Sequence, residues 1–122
     1  MLDYADGSND PLKSKLVEHA EIVFCAGRAG VQVLSSEHLS HAKRLKVAAD
    51  VNAVPPAGIE GMDAQDNGKE IAGTPGVGIG ALAVGNIKYQ VESGLFRMMI
   101  EADKPQFLDF RQAFALARDL VA

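Results

Sequence analysis

Val47-Ala48-Ala49-Asp50-Val51-Asn52-Ala53-Val54-Pro55-Pro56-Ala57-Gly58-Ile59 is an apolar strand that stops at an Asp-x-Asn pair and runs into two prolines and a glycine. A strand that ends in polar side chains and a stiff loop sets those side chains at the C-terminal edge of a sheet. In open α/β sheets that edge is where ligands bind. Upstream, Glu21-Ile22-Val23-Phe24-Cys25-Ala26-Gly27 repeats the grammar, a strand followed by a small-residue turn that lets backbone approach a ligand. About twenty residues with a short helical stretch separate the two strands, which predicts a βαβ unit and a parallel sheet.

Around this centre, Asp10-Pro11 opens a helix that is expected to run to about Ala20 with Leu12, Leu16 and Val17 inward. Ser36 is the expected start of a short helical turn. From Gly58 to Gly80, frequent glycines and the turn signal Asp66-Asn67-Gly68 predict a looped excursion with one short strand near Gly76–Gly80. The spacing of Val84, Ile87, Val91, Leu95 and Met98 predicts a long helix, in which close packing would justify Gly85 and Gly94. Lys104-Pro105 breaks it. A last helix starts near Asp109, with Phe110, Phe114, Ala117 and Val121 on one stripe.

The 122 residues are one domain or part of one, and 48% hydrophobic with 23% charged content is that of a globular chain. A net charge of −4 without clustered Lys and Arg argues against nucleic acid as a partner. The absence of a long apolar run argues against a membrane span. The acidic start, Met1-Leu2-Asp3-Tyr4-Ala5-Asp6, does not resemble a signal peptide, and the lone Cys25 fits a reducing, cytoplasmic setting. Cys25 reads as core packing, since no base lies near it. The three histidines lack the spacing of metal ligands, so no metal is expected. Gly78-Ile79-Gly80-Ala81-Leu82-Ala83 matches a glycine-rich dinucleotide fingerprint, but the residues before it are not a long apolar strand. Its glycines are better read as a tight strand-to-helix transition. Asp50 and Asn52 face two readings, caps on their own loop or groups that contact a ligand, and the second is preferred.

Ala20-Glu21-Ile22-Val23-Phe24-Cys25-Ala26-Gly27, Ala49 to Ile59, and Asp63-Ala64-Gln65-Asp66-Asn67-Gly68-Lys69-Glu70 together resemble the C-terminal part of the NAD(P)-dependent methylene-tetrahydromethanopterin dehydrogenases of bacterial one-carbon metabolism. The resemblance runs from about Leu12 to the end. A weaker one exists to methylene-tetrahydrofolate dehydrogenases. It implies an α/β fold: the second half of a Rossmann-like parallel sheet, about three short strands, with C-terminal helices. It also implies that the pterin domain and glycine-rich phosphate loop of the family are absent from these 122 residues.

The activity implied is hydride transfer from methylene-tetrahydromethanopterin, or a related tetrahydropterin C1 carrier, to NADP or NAD, in a homo-oligomer. Ala26, Gly27, Asp50 and Asn52 would line the cofactor and Lys88 the pterin side. No catalytic acid or base is demanded, because the enzyme mainly holds two rings face to face. Arg28 departs from the small residue expected after Ala-Gly. The isolated chain is expected to be inactive. The alternative is a non-catalytic α/β interaction or regulatory module derived from such an enzyme.

Overall fold

The computed structural model describes residues 1–122, which divide into two compact units, Met1–Ala83 and Val84–Ala122. In the first unit, α1 (Asp10–His19) is followed by β1 (Ile22–Cys25), α2 (Ser36–Ser40), β2 (Val47–Asp50), β3 (Asn67–Glu70) and β4 (Val77–Ile79). The strands form one sheet in the order β1-β2-β4-β3. The first three neighbours are parallel, whereas β3 runs antiparallel to β4 with an irregular register between Asn67 and Lys69. The α/β fold expected from the sequence is therefore present, with four strands rather than three.

Local chemistry explains the element boundaries. Asn9 rather than Asp10 caps α1, its side chain accepting from the Leu12 N–H at 2.9 Å, and Pro11 sits in the first turn where its missing N–H costs nothing. Ser35, one residue before the expected position, caps α2 in a reciprocal arrangement with His38. One face of the sheet carries the core. Cys25 and Ala48 meet Val17 of α1, Leu39 of α2 and the loop residues Leu45 and Ile59, all buried. Leu16, expected inward, is half exposed, because a ten-residue helix turns only a narrow stripe toward this core.

The strand missed by the sequence reading is β3. Asn67-Gly68-Lys69-Glu70 is wholly exposed and has no apolar alternation, so only its backbone pairing with β4 makes it a strand. β4 lies within the stretch where one short strand was expected.

The second unit pairs α3 (Ala81–Glu101, entering from the first unit) with α4 (Phe110–Val121). Asp109 caps α4 and Gln112 completes a capping box. A side chain at Gly94 of α3 would press within 3.2 Å of Leu116, so close packing does justify this glycine. Nothing lies within 4 Å of the corresponding position at Gly85, and the packing reason expected there does not hold. Phe110, Phe114, Ala117 and Val121 share one face of α4 as expected; Phe110, Phe114 and Val121 are exposed, and Leu116 packs near Gly94 of α3.

Candidate functional site

The parallel register sets Cys25 opposite Asp50, so β1 and β2 end side by side and their following loops rise together. Those loops are tied to each other. The N–H groups of Val33 and Leu34 both donate to the Gly58 carbonyl, at 2.7 and 3.0 Å, and Glu60 N–H returns a bond to Leu34 O at 2.9 Å.

Asp50 organises the second loop from below. It is 2% exposed, and its carboxylate accepts from Asn52 N–H at 2.9 Å, Gly58 N–H at 2.6 Å and Ile59 N–H at 3.2 Å. Three backbone donors offset the cost of taking a carboxylate out of water. Asn52 works one level higher. Its side-chain oxygen accepts from Val54 N–H at 3.0 Å and more weakly from Gly30 N–H at 3.4 Å, while its amide donates to Pro56 O at 3.1 Å. One side chain thus ties the loop after β1 to the loop after β2. Asn52 is buried. Both side chains spend their polar atoms on backbone, which is the loop-capping arrangement.

Two glycines outside the expected site residues complete this frame. A side chain on Gly58 would stand 2.5 Å from the Cys25 sulfur and 3.0 Å from Asp50 Oδ1. Gly30 has φ of 73°, a backbone that L side chains rarely adopt. A signal for Gly58 was available: it lies eight residues after Asp50 and just beyond the rigid Pro55-Pro56 pair.

Above the frame, Ala26 and Gly27 are exposed at the end of β1. They border a crevice of about 260 Å³ whose other walls include Leu16, Val23, Phe24 and Lys13. Gly27 is small for a reason inside the protein, since a side chain there would meet Val33 Cγ2 at 2.7 Å. The one cation at the crevice, Lys13, is engaged with Asp10 at 2.7 Å and Val33 O at 3.0 Å. A second hollow of about 230 Å³ opens beside the β2 loop, between Asn52, Val54, Pro55 and the Met62–Ala64 turn. The walls of both hollows are mostly apolar or small side chains.

The glycine-rich motif is not an open loop. In the glycine motif Gly78-Ile79-Gly80, which links β4 to α3, the Gly80 N–H is given to Asp66 O at 2.7 Å and the Leu82 N–H to Ala64 O at 2.8 Å. A side chain on Gly80 would collide with the backbone of Asp63 and Ala64. The motif is a tight strand-to-helix junction packed under a turn.

Two further residues have plain surroundings. Burial pushes the Cys25 thiol above its ordinary range and the nearby Asp50 charge adds to this, against a Gly27 backbone hydrogen bond that opposes it. A protonated, buried thiol is a poor nucleophile. Lys88, in the second unit, is exposed on α3 with Glu92 at 3.8 Å.

No protein-family model matches the chain. Among curated proteins it is 47% identical, over 94% of its length, to the NAD(P)-dependent methylenetetrahydromethanopterin dehydrogenase of Methylorubrum extorquens. It is 31% identical, over 95% of its length, to the bifunctional protein MdtA of the same organism. The chain spans 39% of the length of each relative. The resemblance read from the sequence is therefore present along nearly the whole chain. No helix is long and apolar enough to cross a membrane.

Proposed function

We propose that this chain forms the nicotinamide-side portion of a dehydrogenase that moves hydride from methylene-tetrahydromethanopterin, or a related tetrahydropterin, to NADP or NAD. The observation that carries the proposal is the paired strand end: Cys25 beside Asp50, each followed by a loop, with exposed small residues next to an apolar crevice. The 47% identity to a protein named for this reaction supports it.

In this reading the residues divide by role. Ala26 and Gly27 offer backbone and a low wall against which a ring can lie. Asp50 and Asn52 act as positioning residues, because their polar atoms hold the loop that faces the ring. Lys88 is the candidate on the pterin side. When bound, the nicotinamide supplies the hydride acceptor, and the protein contributes orientation and exclusion of water, an effect that can amount to several kcal/mol of barrier, roughly 7–11 in well-oriented model reactions.

The test is a chimaera in which this chain replaces the matching stretch of the Methylorubrum extorquens enzyme. NADPH or NADH formation from methylene-tetrahydromethanopterin is then followed by absorbance. Turnover is expected, together with a loss of on the order of a hundredfold in kcat/KM for Asn52→Ala if the loop sets ring geometry. A folded chimaera without turnover, or with kinetics indifferent to Asn52→Ala, would reject the proposed role.

A further inference from the structure

We infer that Arg28 selects the occupant of the crevice beside β1 by charge: its guanidinium pairs with the phosphate that a nicotinamide nucleotide carries on the ribose next to the ring. The inference rests on the dehydrogenase reading and names the part of the ligand that this chain recognises electrostatically.

The first observation is how charge is sorted. Residues 26–34 follow β1 and residues 51–59 follow β2, and together these loops hold one ionisable side chain, Arg28. In a chain that is 23% charged with a net charge of −4, a single cation over two neutral loops stands out. The acid at these strand ends, Asp50, is buried beneath them with its oxygens on three backbone N–H groups. Lys13, the cation that borders the crevice, is already neutralised by Asp10 at 2.7 Å.

The second observation is that Arg28 is held at its root and free at its tip. Its carbonyl accepts from Val31 N–H at 3.1 Å, closing a turn in which Gly30 takes φ of 73°. Asn52 braces the same turn through Gly30 N–H, and Gly27, the residue before Arg28, borders the crevice. The side chain is exposed, and no carboxylate of the molecule pairs with it, whereas Arg44, the other arginine of the first unit, is paired with Glu21 at 2.7 Å. A lone surface arginine is ordinary; one fixed at the rim of a crevice, where a small residue was expected after Ala-Gly, is not.

The chemistry of the anion follows. A guanidinium presents parallel N–H donors that match two phosphate oxygens, and no internal acid competes for them. The phosphate in question is the nicotinamide-side one, because the 2′-phosphate that separates NADP from NAD sits on the far ribose. Arg28 should therefore serve both dinucleotides alike.

NMR titration of the isolated chain tests this with three probes: nicotinamide mononucleotide, nicotinamide riboside, which lacks the phosphate, and ribose 5-phosphate, which lacks the ring. The mononucleotide should bind about fivefold more tightly than the riboside, the order of one exposed charge-assisted contact, and the preference should shrink as salt is raised. In Arg28→Gln the preference should vanish with the melting temperature unchanged, and Arg28→Lys should keep part of it, since the charge stays but the fork is lost. Equal binding of mononucleotide and riboside by the parent, or a preference that survives Arg28→Gln, overturns the inference; shifts at Ala26 and Gly27 would then still support the dehydrogenase reading. Ribose 5-phosphate binding as tightly as the mononucleotide, and lost in Arg28→Gln, would keep the phosphate contact and reject the ring-binding reading. If no probe binds, both fall. In the chimaera, Arg28→Gln should raise KM for NADP and NAD by the same factor and leave that for the pterin unchanged. A rise confined to NADP would assign the charge to the 2′-phosphate, and one confined to the pterin to an acidic group on the carrier; either overturns the inference.

Discussion

Asp50 anchors the loop after β2 from its buried end. Its carboxylate gathers three backbone N–H groups from positions two, eight and nine residues downstream, and Gly58 is small so that this approach is possible. Asp50→Ala would leave three buried donors without partners. At about 1–3 kcal/mol for each unsatisfied group, with some recovered by water, a loss of about 3 kcal/mol is expected in urea denaturation. Gly58→Ala should cost about 2 kcal/mol by overpacking against Cys25 and Asp50. If either variant unfolds at the same urea concentration as the parent, the frame beneath the loop has been misread. Asn52→Ala is expected to lower stability as well as turnover, because Asn52 is buried and bonded to both loops.

At the scale of elements, two glycines of α3 that look alike in sequence should behave oppositely. Gly85 faces open space, so Gly85→Ala should stabilise by about 1 kcal/mol through helix propensity alone. Gly94→Ala gains the same propensity but crowds Leu116, and a melting temperature below that of Gly85→Ala is expected. Equal gains from both would show that α4 does not press on Gly94.

Charge ties β1 to the residues leading into β2. Lys46 and Arg44 hold the Glu21 carboxyl below its ordinary value of 4.5 through hydrogen bonds and charge, at 3.0 and 2.7 Å. A carboxylate with a depressed folded-state pKa stabilises above its unfolded value, and that contribution is lost as pH falls through the folded value. The parent should therefore melt above Glu21→Gln at neutral pH by a small margin, since the pair is exposed, and the two curves should converge below pH 4.5. A margin that persists in acid would assign the effect to packing.

These elements also mark how far the sequence can be read. β1, β2 and the long helix announce themselves by apolar runs and periodicity, because burial dictates residue type there. The βαβ order and the pairing of the two strand ends follow from spacing. β3 stayed hidden because an exposed edge strand held only by backbone bonds leaves no trace in side-chain chemistry. The apolar stripe on α4 was legible, but an aromatic period marks an apolar face and not which neighbour covers it. At the site, the Asp-x-Asn pair stood out as polar residues at a strand end. Whether their atoms turn to ligand or to backbone depends on where Gly30, Gly58 and Pro56 come to rest, and these are contacts made across several residues or between loops.

The molecule as a whole divides its labour. The chain offers an apolar crevice and two braced loops at the ends of β1 and β2, while the Gly80 and Leu82 N–H groups of its glycine-rich motif are already committed. Phosphate contacts at a helix N-terminus supply much of dinucleotide affinity, so binding by the isolated chain should be weak and local. The measurement that bears most directly on this is an NMR titration of the 15N-labelled chain with NADP. The account predicts saturable shifts, with a dissociation constant in the millimolar range, that centre on the amides of Ala26, Gly27, Gly30 and Val54 and do not require the α4 residues. No shifts at these positions, or shifts that gather around Ser35 and His38 or along α4 instead, would contradict it.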